Sequence, residues 1–389
     1  MKDYIYMDYA SSTYVKKQVL DKMEPYNSIL YANPSSIYKL GRESKKAIYN
    51  SSENIASVIN CDAEDIIFTS GGSESDNLAI KGIAYQYINK GNHIITTKIE
   101  HPAVFNLCKS LEKDGFKITY LDVDKDGFID TNELIEAISD KTILISIMFA
   151  NNEIGTIQPI KEIGEICKQR NVIFHCDAVQ AIGSIPIDVK DLKIDLLSIS
   201  SHKIYGPKGV GALYLNKNIK IKPEILGGAQ QRGKRAGTEN VPAIVGFGYA
   251  IKFASKNIAK ESIRLINLRD IFINGLLEIP GTKLNGSINN RLPNNINISF
   301  GNFENETILM MLDNKDIYAS GGSACQAGAL EPSRVLTSIG LSKDQAKSSI
   351  RFTIGANTKE EDIYYVINSM KEIIQTIKNI EENWNKGCD

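Results

Sequence analysis

Apolar positions in the first two-thirds of the chain come in short, nearly unbroken runs. They are DIIFTS (65–70), NHIITTK (92–98), FKITYLDV (116–123), TILISIMFA (142–150), NVIFHCD (171–177) and DLLSISS (195–201). Runs this short, rich in Ile and Phe and mostly not alternating, predict strands buried on both faces. Between them, SDNLAIKGIAYQYINK (75–90) and PIKEIGEICKQR (159–170) carry apolar residues at helical spacing. Strand–helix alternation of this kind predicts an α/β fold with a mainly parallel sheet and helices on both faces. The pattern changes after about residue 255. A charged helix over roughly 256–278 is followed by a strand, NNINISF (294–300), a helix and a Gly-rich loop. A further strand, SSIRFTIG (348–355), and an amphipathic helix follow. The expected division is a large domain of residues 16–255 beside a smaller α+β domain of residues 1–15 and 256–389.

Composition narrows the function classes. The chain has 389 residues, 42% hydrophobic and 23% charged, which is ordinary for a globular protein able to bury a large core. Its net charge of −1 argues against a nucleic-acid groove. Small basic clusters such as Arg232, Lys234 and Arg235 suffice for one phosphate group. The six cysteines form no CxxC pair, no zinc spacing and no disulfide framework. The opening MKDYIYMDYA lacks the unbroken apolar stretch of a signal peptide. The longest apolar run, near 143–150, is too short to span a bilayer. A reduced, cytoplasmic protein is expected, without membrane or direct nucleic-acid contact.

In a parallel α/β sheet, ligands sit beyond the carboxyl ends of the strands. Five strand ends carry reactive or polar groups. The first run leads into Ser70-Gly71-Gly72-Ser73, whose free backbone N–H groups at a helix start could hold a phosphate. The second leads to His101, which could stack on a flat ring, and the fourth to Asn151 and Asn152. The fifth ends at Asp177, a suitable partner for a pyridinium nitrogen, with Gln180 close behind. After the sixth come Ser200, His202 and Lys203: two phosphate-bonding side chains and an amine that can capture an aldehyde. Each alone is a common loop feature. Together, in order, they describe one cofactor, pyridoxal 5'-phosphate.

The chain resembles the cysteine desulfurases of the NifS/IscS type over essentially its whole length. The resemblance rests on MDYASST (7–13), NPSS (33–36), FTSGGSESDNLAIKG (68–82), EHPAV (100–104), NNEIGTIQP (151–159), HCDAVQ (175–180), SSHKIYGPKGVGALY (200–214), RAGTEN (235–240), GGSACQAGALEPSRVL (321–336) and SSIRFTIG (348–355). It implies the PLP-dependent transferase fold of type I and a homodimer with sites at the interface. It implies that Lys203 is the Schiff-base lysine, His101 the ring stacker and Asp177 the pyridinium partner. Gln180 would contact the ring hydroxyl. Gly72, Ser73, Ser200 and His202 would hold the phosphate, with Thr238 supplied by the other subunit. Asn33, Asn152 and Arg351 would bind substrate. Cys325, in a mobile small-residue loop spanning about 318–332, would accept sulfur. The implied reaction takes sulfur from L-cysteine, leaves L-alanine and puts a persulfide on Cys325. An iron–sulfur scaffold or a tRNA-thiolating enzyme would then receive it. The alternatives are a selenocysteine lyase or another transferase of the same fold, or a silent sulfur-relay subunit without catalysis. Cys325 argues against the first group, and intact Lys203 and Asp177 against the second.

Two further expectations follow from local pattern. Cys176, on a strand, reads as a buried hydrophobe. Residues Asp122 to Glu133 fit the EF-hand loop pattern, yet a strand-like segment leads into them. They read better as an acidic turn with Thr131 capping the next helix, and no metal is expected.

Overall fold

The computed structural model describes residues 4–321 and 332–386. In chain order the described strands are β1 (Ile5–Tyr6), β2 (Ile66–Thr69), β3 (His93–Thr97), β4 (Lys117–Leu121), β5 (Thr142–Ser146) and β6 (Ile173–Asp177). After these come β7 (Leu196–Ser200), β8 (Gly211–Leu215), β9 (Thr282–Leu284), β10 (Asn295–Phe300), β11 (Ile317–Tyr318) and β12 (Ser349–Thr353).

The large sheet has seven strands in the order β2-β8-β7-β6-β5-β3-β4. Its strands read as unbroken apolar runs because successive residues feed two different cores. Ile95, Ile145, Leu197, Ile199 and Tyr214 pack on one face with helices Lys39–Ile59, Ile160–Arg170 and Val241–Ser255. Ile94, Leu144, Leu196 and Leu213 pack on the other, with helices Gly72–Tyr87 and Pro102–Lys113. Helices on both faces leave only the sheet's ends for chemistry.

β8 is antiparallel to both neighbours, β2 and β7, and the remaining pairs are parallel. The sheet is therefore mainly parallel, as expected, with β8 its antiparallel member. Two antiparallel steps restore direction, so β2 points the same way as β7. The carboxyl ends of β2, β3, β5, β6 and β7 all open on one edge.

A separate core surrounds the antiparallel sheet β12-β10-β9. Phe272, Phe300, Phe352 and Ile363 fill it, and Met7 joins them from far upstream. Strand β1 pairs in parallel with β11, and Asp8 bridges to Thr353.

The acidic turn is entered by β4, a strand. Its Asp124 carboxylate accepts the amides of Asp126 and Phe128 at 2.9 Å each, so it serves its own loop. The expected cap is corrected: Asp130, not Thr131, caps helix Thr131–Ala137 by accepting the Asn132 amide. Thr131 lies inside the first turn, and its hydroxyl donates to Glu162. Asp130, one residue earlier, has the extended backbone that a cap needs and an oxygen to accept the amide. Among the described residues, no helix is long and apolar enough to cross a membrane.

Candidate active site

Helix Gly72–Tyr87 begins directly after β2. Its first amides have no helical acceptor, as at any helix start. A Cβ on Gly72 would lie 2.7 Å from a Val179 methyl, so only glycine lets this helix end sit against the loop after β6. Ser200 closes the same corner. Its hydroxyl is buried and, among the described atoms, has no hydrogen-bond partner. A glycine-walled helix start facing an orphaned hydroxyl is the donor set that a phosphate satisfies.

Asp177 ends β6. Its Oδ1 accepts the Val179 amide at 2.9 Å. Burial pushes its carboxyl up to about 6, against the pull of that hydrogen bond and of Lys203. A cationic ring N–H would offset this cost by supplying the missing partner. Beneath it, His175 is fully buried and forms hydrogen bonds with Ser146 and Ser198, both at 2.9 Å. Burial holds His175 down to about 3, so it is neutral and its 3.6 Å approach to Asp76 is not an ion pair.

His101 caps helix Pro102–Lys113 by accepting the Ala103 amide at Nδ1, 3.1 Å away. Burial, then the nearby Lys203 charge, depresses it to about 4. The imidazole is thus neutral with its proton on Nε2, a flat face suited to stacking.

Lys203 follows β7 in a short turn. Its ammonium donates to the carbonyls of Ala10 and Ser11 at 2.5 and 2.9 Å. Gln180 donates to the same Ala10 carbonyl at 3.1 Å. The Ser12 hydroxyl meets His202 at 3.2 Å. Arg351, 2% exposed on β12, donates to Asp8 and to the Ser11 hydroxyl, both at 2.8 Å, and to the Asn152 carbonyl at 3.0 Å. Residues 8–13 therefore form a strap that touches Lys203, Gln180, His202 and Arg351. The sequence reading did not assign Asp8, Ser11 or Ser12 to the site. Their signal was a run of short polar side chains between tyrosines.

Two candidate residues are not drawn into this constellation within the chain. Asn33 is exposed and turns its side-chain oxygen to the Ser35 amide. Thr238 is exposed on a loop that the Arg235–Glu74 ion pair, 2.8 Å, ties to the phosphate corner. Ser73 heads the same helix as Gly72, and its carbonyl accepts the Asn77 side chain. Cys325 lies outside the described residues, as does most of the expected 318–332 loop. Its flanks are described. Ser320 exchanges backbone hydrogen bonds with Arg351. Beyond the segment, Ser333 donates to Glu153 at 2.5 Å and Arg334 to the Glu100 carbonyl at 2.7 Å.

The sequence profile of the Aminotransferase class-V family matches residues 5–366. The cysteine desulfurase IscS of Clostridium botulinum is 52% identical over 387 residues, covering 99% of this chain and 98% of the relative. The chain belongs to the cysteine desulfurases of the class-V aminotransferase family. Its structural neighbours agree. A NifS-like protein superposes with a TM-score of 0.91 at 35% identity, covering 96% of this chain and all of the other. A structure described as SspA in complex with cysteine has a TM-score of 0.81 at 38% identity, covering 90% and 98% of the two chains.

In this cysteine desulfurase fold, Glu100 carries a measurable cost. Burial, opposed by the Met148 amide and raised again by Asp177, pushes its carboxyl up to about 8. The folded protein keeps a proton that the unfolded chain has lost between its ordinary 4.5 and about 8. Stability should therefore fall as pH rises through that window, by up to roughly 1.4 kcal/mol per pH unit. Glu100→Gln should remove this slope. Melting temperatures of the two proteins should converge near pH 5 and diverge by several degrees at pH 8.5, the variant higher. Parallel profiles would rule out a protonated Glu100.

Proposed function

We propose that the protein is a pyridoxal-phosphate-dependent cysteine desulfurase in which Lys203, Arg351 and Cys325 carry the reaction. One observation supports this above the others: Lys203 and Arg351 converge on a single residue. The Ser11 carbonyl accepts from Lys203 and its hydroxyl from Arg351. An amine-handling group beside a carboxylate-binding guanidinium suits an α-amino acid, whose two charged groups are one carbon apart.

The cofactor fits the residues present. Gly72, Ser73, Ser200 and His202 would hold its phosphate, with Thr238 contributed across a homodimer. Asp177 would face the ring nitrogen, His101 the ring face and Gln180 the ring hydroxyl. Pyridoxal phosphate, when bound, supplies an aldehyde carbon and a ring that takes up electron density from the substrate. The chain does the rest. Arg351 pairs with the cysteine carboxylate, with Asn152 and Asn33 lining the substrate. Lys203, as the free amine, takes the Cα proton. Asp177 keeps the ring nitrogen protonated, and neutral His101 adds no charge to repel that cation. Cys325, as a thiolate, attacks the substrate sulfur. The Cβ–S bond breaks, its electron pair passes to the substrate carbon side and Cβ takes a proton. Alanine departs, and Cys325 keeps the sulfur as a persulfide.

The described cysteines suit this role poorly. Cys108 and Cys176 are buried, and burial pushes their thiols up, Cys108 to about 12. Cys61 is likewise pushed up to about 12, and Cys167 is raised too. The described residues on either side of the Cys325 segment, Ser320 and Arg334, bond to Arg351 and to the Glu100 carbonyl. The large domain of residues 16–255 would hold the cofactor, and the smaller one, residues 1–15 and 256–389, the thiol. The acceptor would be an iron–sulfur scaffold or a tRNA-thiolating enzyme.

The test is stoichiometric. Purified protein should show the visible band of bound pyridoxal phosphate and release one alanine per sulfur taken from L-cysteine. A colourless protein that binds partners would instead be a relay subunit. Arg351→Ala should raise the KM for cysteine while cofactor stays bound. Loss of a desolvated charge-assisted pair costs about 2–4 kcal/mol, some thirty- to several-hundred-fold. An unchanged KM would make Arg351 purely structural.

A further inference from the structure

Arg351 is already engaged. Its Nη2 gives both hydrogens away, one to Asp8 Oδ1 and one to Ser11 Oγ, each at 2.8 Å. Its Nη1 donates to the Asn152 carbonyl, and its buried Nε has no partner among the described atoms. A guanidinium offers a carboxylate two forked edges, Nη1 with Nη2 or Nε with Nη2. Both edges use Nη2. A substrate carboxylate that binds Arg351 through two parallel hydrogen bonds must therefore take one Nη2 hydrogen from Asp8 or Ser11. The orphaned Nε marks the edge best prepared for it, since that edge already has one free donor.

We propose that Asp8, with Ser11, is the internal competitor for the substrate carboxylate and sets the protein's affinity for amino acids. This rests on Arg351 being the carboxylate seat. Asp8 is the stronger of the two competitors because it is an anion, with its side chain only 17% exposed beside a guanidinium that is 2% exposed. Glu153 also faces Arg351 electrostatically, but its carboxylate is taken by the Ser333 hydroxyl. The arrangement keeps Arg351 oriented and neutralised whichever carboxylate it holds.

The test is a binding measurement on the cofactor-loaded protein. Two cysteine fragments are titrated calorimetrically: 3-mercaptopropionate, which keeps the carboxylate and lacks the amine, and cysteamine, which keeps the amine and lacks the carboxylate. Asp8→Asn and Asp8→Ser should bind 3-mercaptopropionate about tenfold more tightly than the wild type. Their cysteamine affinity should match the wild type. Arg351→Ala should lose most 3-mercaptopropionate binding. Unchanged or weaker binding in the Asp8 variants, with Arg351→Ala still impaired, would overturn the competition and make Asp8 an orienting partner. Unaltered binding in Arg351→Ala would instead overturn the carboxylate seat itself, and the inference with it. Should the Asp8 variants not fold, Ser11→Ala releases the other Nη2 hydrogen. It too must tighten 3-mercaptopropionate binding, and failure to do so sinks the proposal.

Discussion

Lys203→Ala is expected to leave a folded protein that binds pyridoxal phosphate only non-covalently. Borohydride treatment followed by mass spectrometry should find no cofactor mass on the chain, whereas the wild type should carry it on the peptide containing Lys203. The reason is positional. Lys203 is the amine at the end of β7, and its Nζ donates to the Ala10 and Ser11 carbonyls, beside the orphaned Ser200 hydroxyl and the buried Asp177. The next lysine along, Lys208, is exposed. Removing the group that takes the Cα proton should also lower turnover by on the order of 10³-fold or more. The fold should survive, because the strap keeps its other ties: Thr13 to the His202 carbonyl, and Asp8 and Ser11 to Arg351. A borohydride-stable adduct in the variant would mean that another lysine does the work.

Cys325→Ser should separate cofactor chemistry from sulfur transfer. The assigned cofactor-holding residues all lie outside 322–331, so cofactor binding should be normal. L-cysteine should still bind, because Lys203 and Arg351 remain. Sulfur should then stay on the substrate, since a hydroxyl is a far weaker nucleophile than a thiolate at neutral pH. Alanine release should fall by orders of magnitude. Wild type given cysteine should show one added sulfur atom on the Cys325 peptide, absent from the variant. Alanine formed at the wild-type rate would show that the cysteine is not the acceptor.

The parts of this molecule legible in its sequence are those whose signal is local. Each of the six apolar runs contains a strand; five are buried on both faces and need unbroken apolar residues, while edge strand β4 is largely half-buried. Chemistry at their ends was legible for the same reason, since parallel strands deliver their termini to one edge. Strand β8, GALYL, was not assigned, because nothing in five residues states direction. Helix Lys39–Ile59 was missed for a different cause. Its buried face is built largely of Gly41, Ser44, Ala47, Ser51 and Ser52, and it packs so close to helix Val241–Ser255 that a Cβ on Gly248 would sit 2.7 Å from Ser51. Close packing here needs small side chains, so few large apolar residues mark the first half of its buried face. The partners of Arg351 were invisible on a third ground. Asp8 lies 343 residues away in sequence, and only the folded chain brings the two together.

That separation also dictates an order of assembly. The strands of the large sheet lie between residues 66 and 215, so ribosomal synthesis can deliver all of them while the final third of the chain is still unmade. The strap can then meet Gln180, His202 and Lys203 but not Arg351. Its partners Arg351 and Thr353 lie in β12, residues 349–353, and the adjoining β1 pairs with β11, residues 317–318, all made after the large sheet. Contacts of such long sequence separation form late, because loop closure must come first. Asp8 thus waits for β12, and until the two meet Arg351 lacks the anion that balances it. The proposed substrate seat at Arg351 is completed only after the strands that bear the proposed cofactor residues.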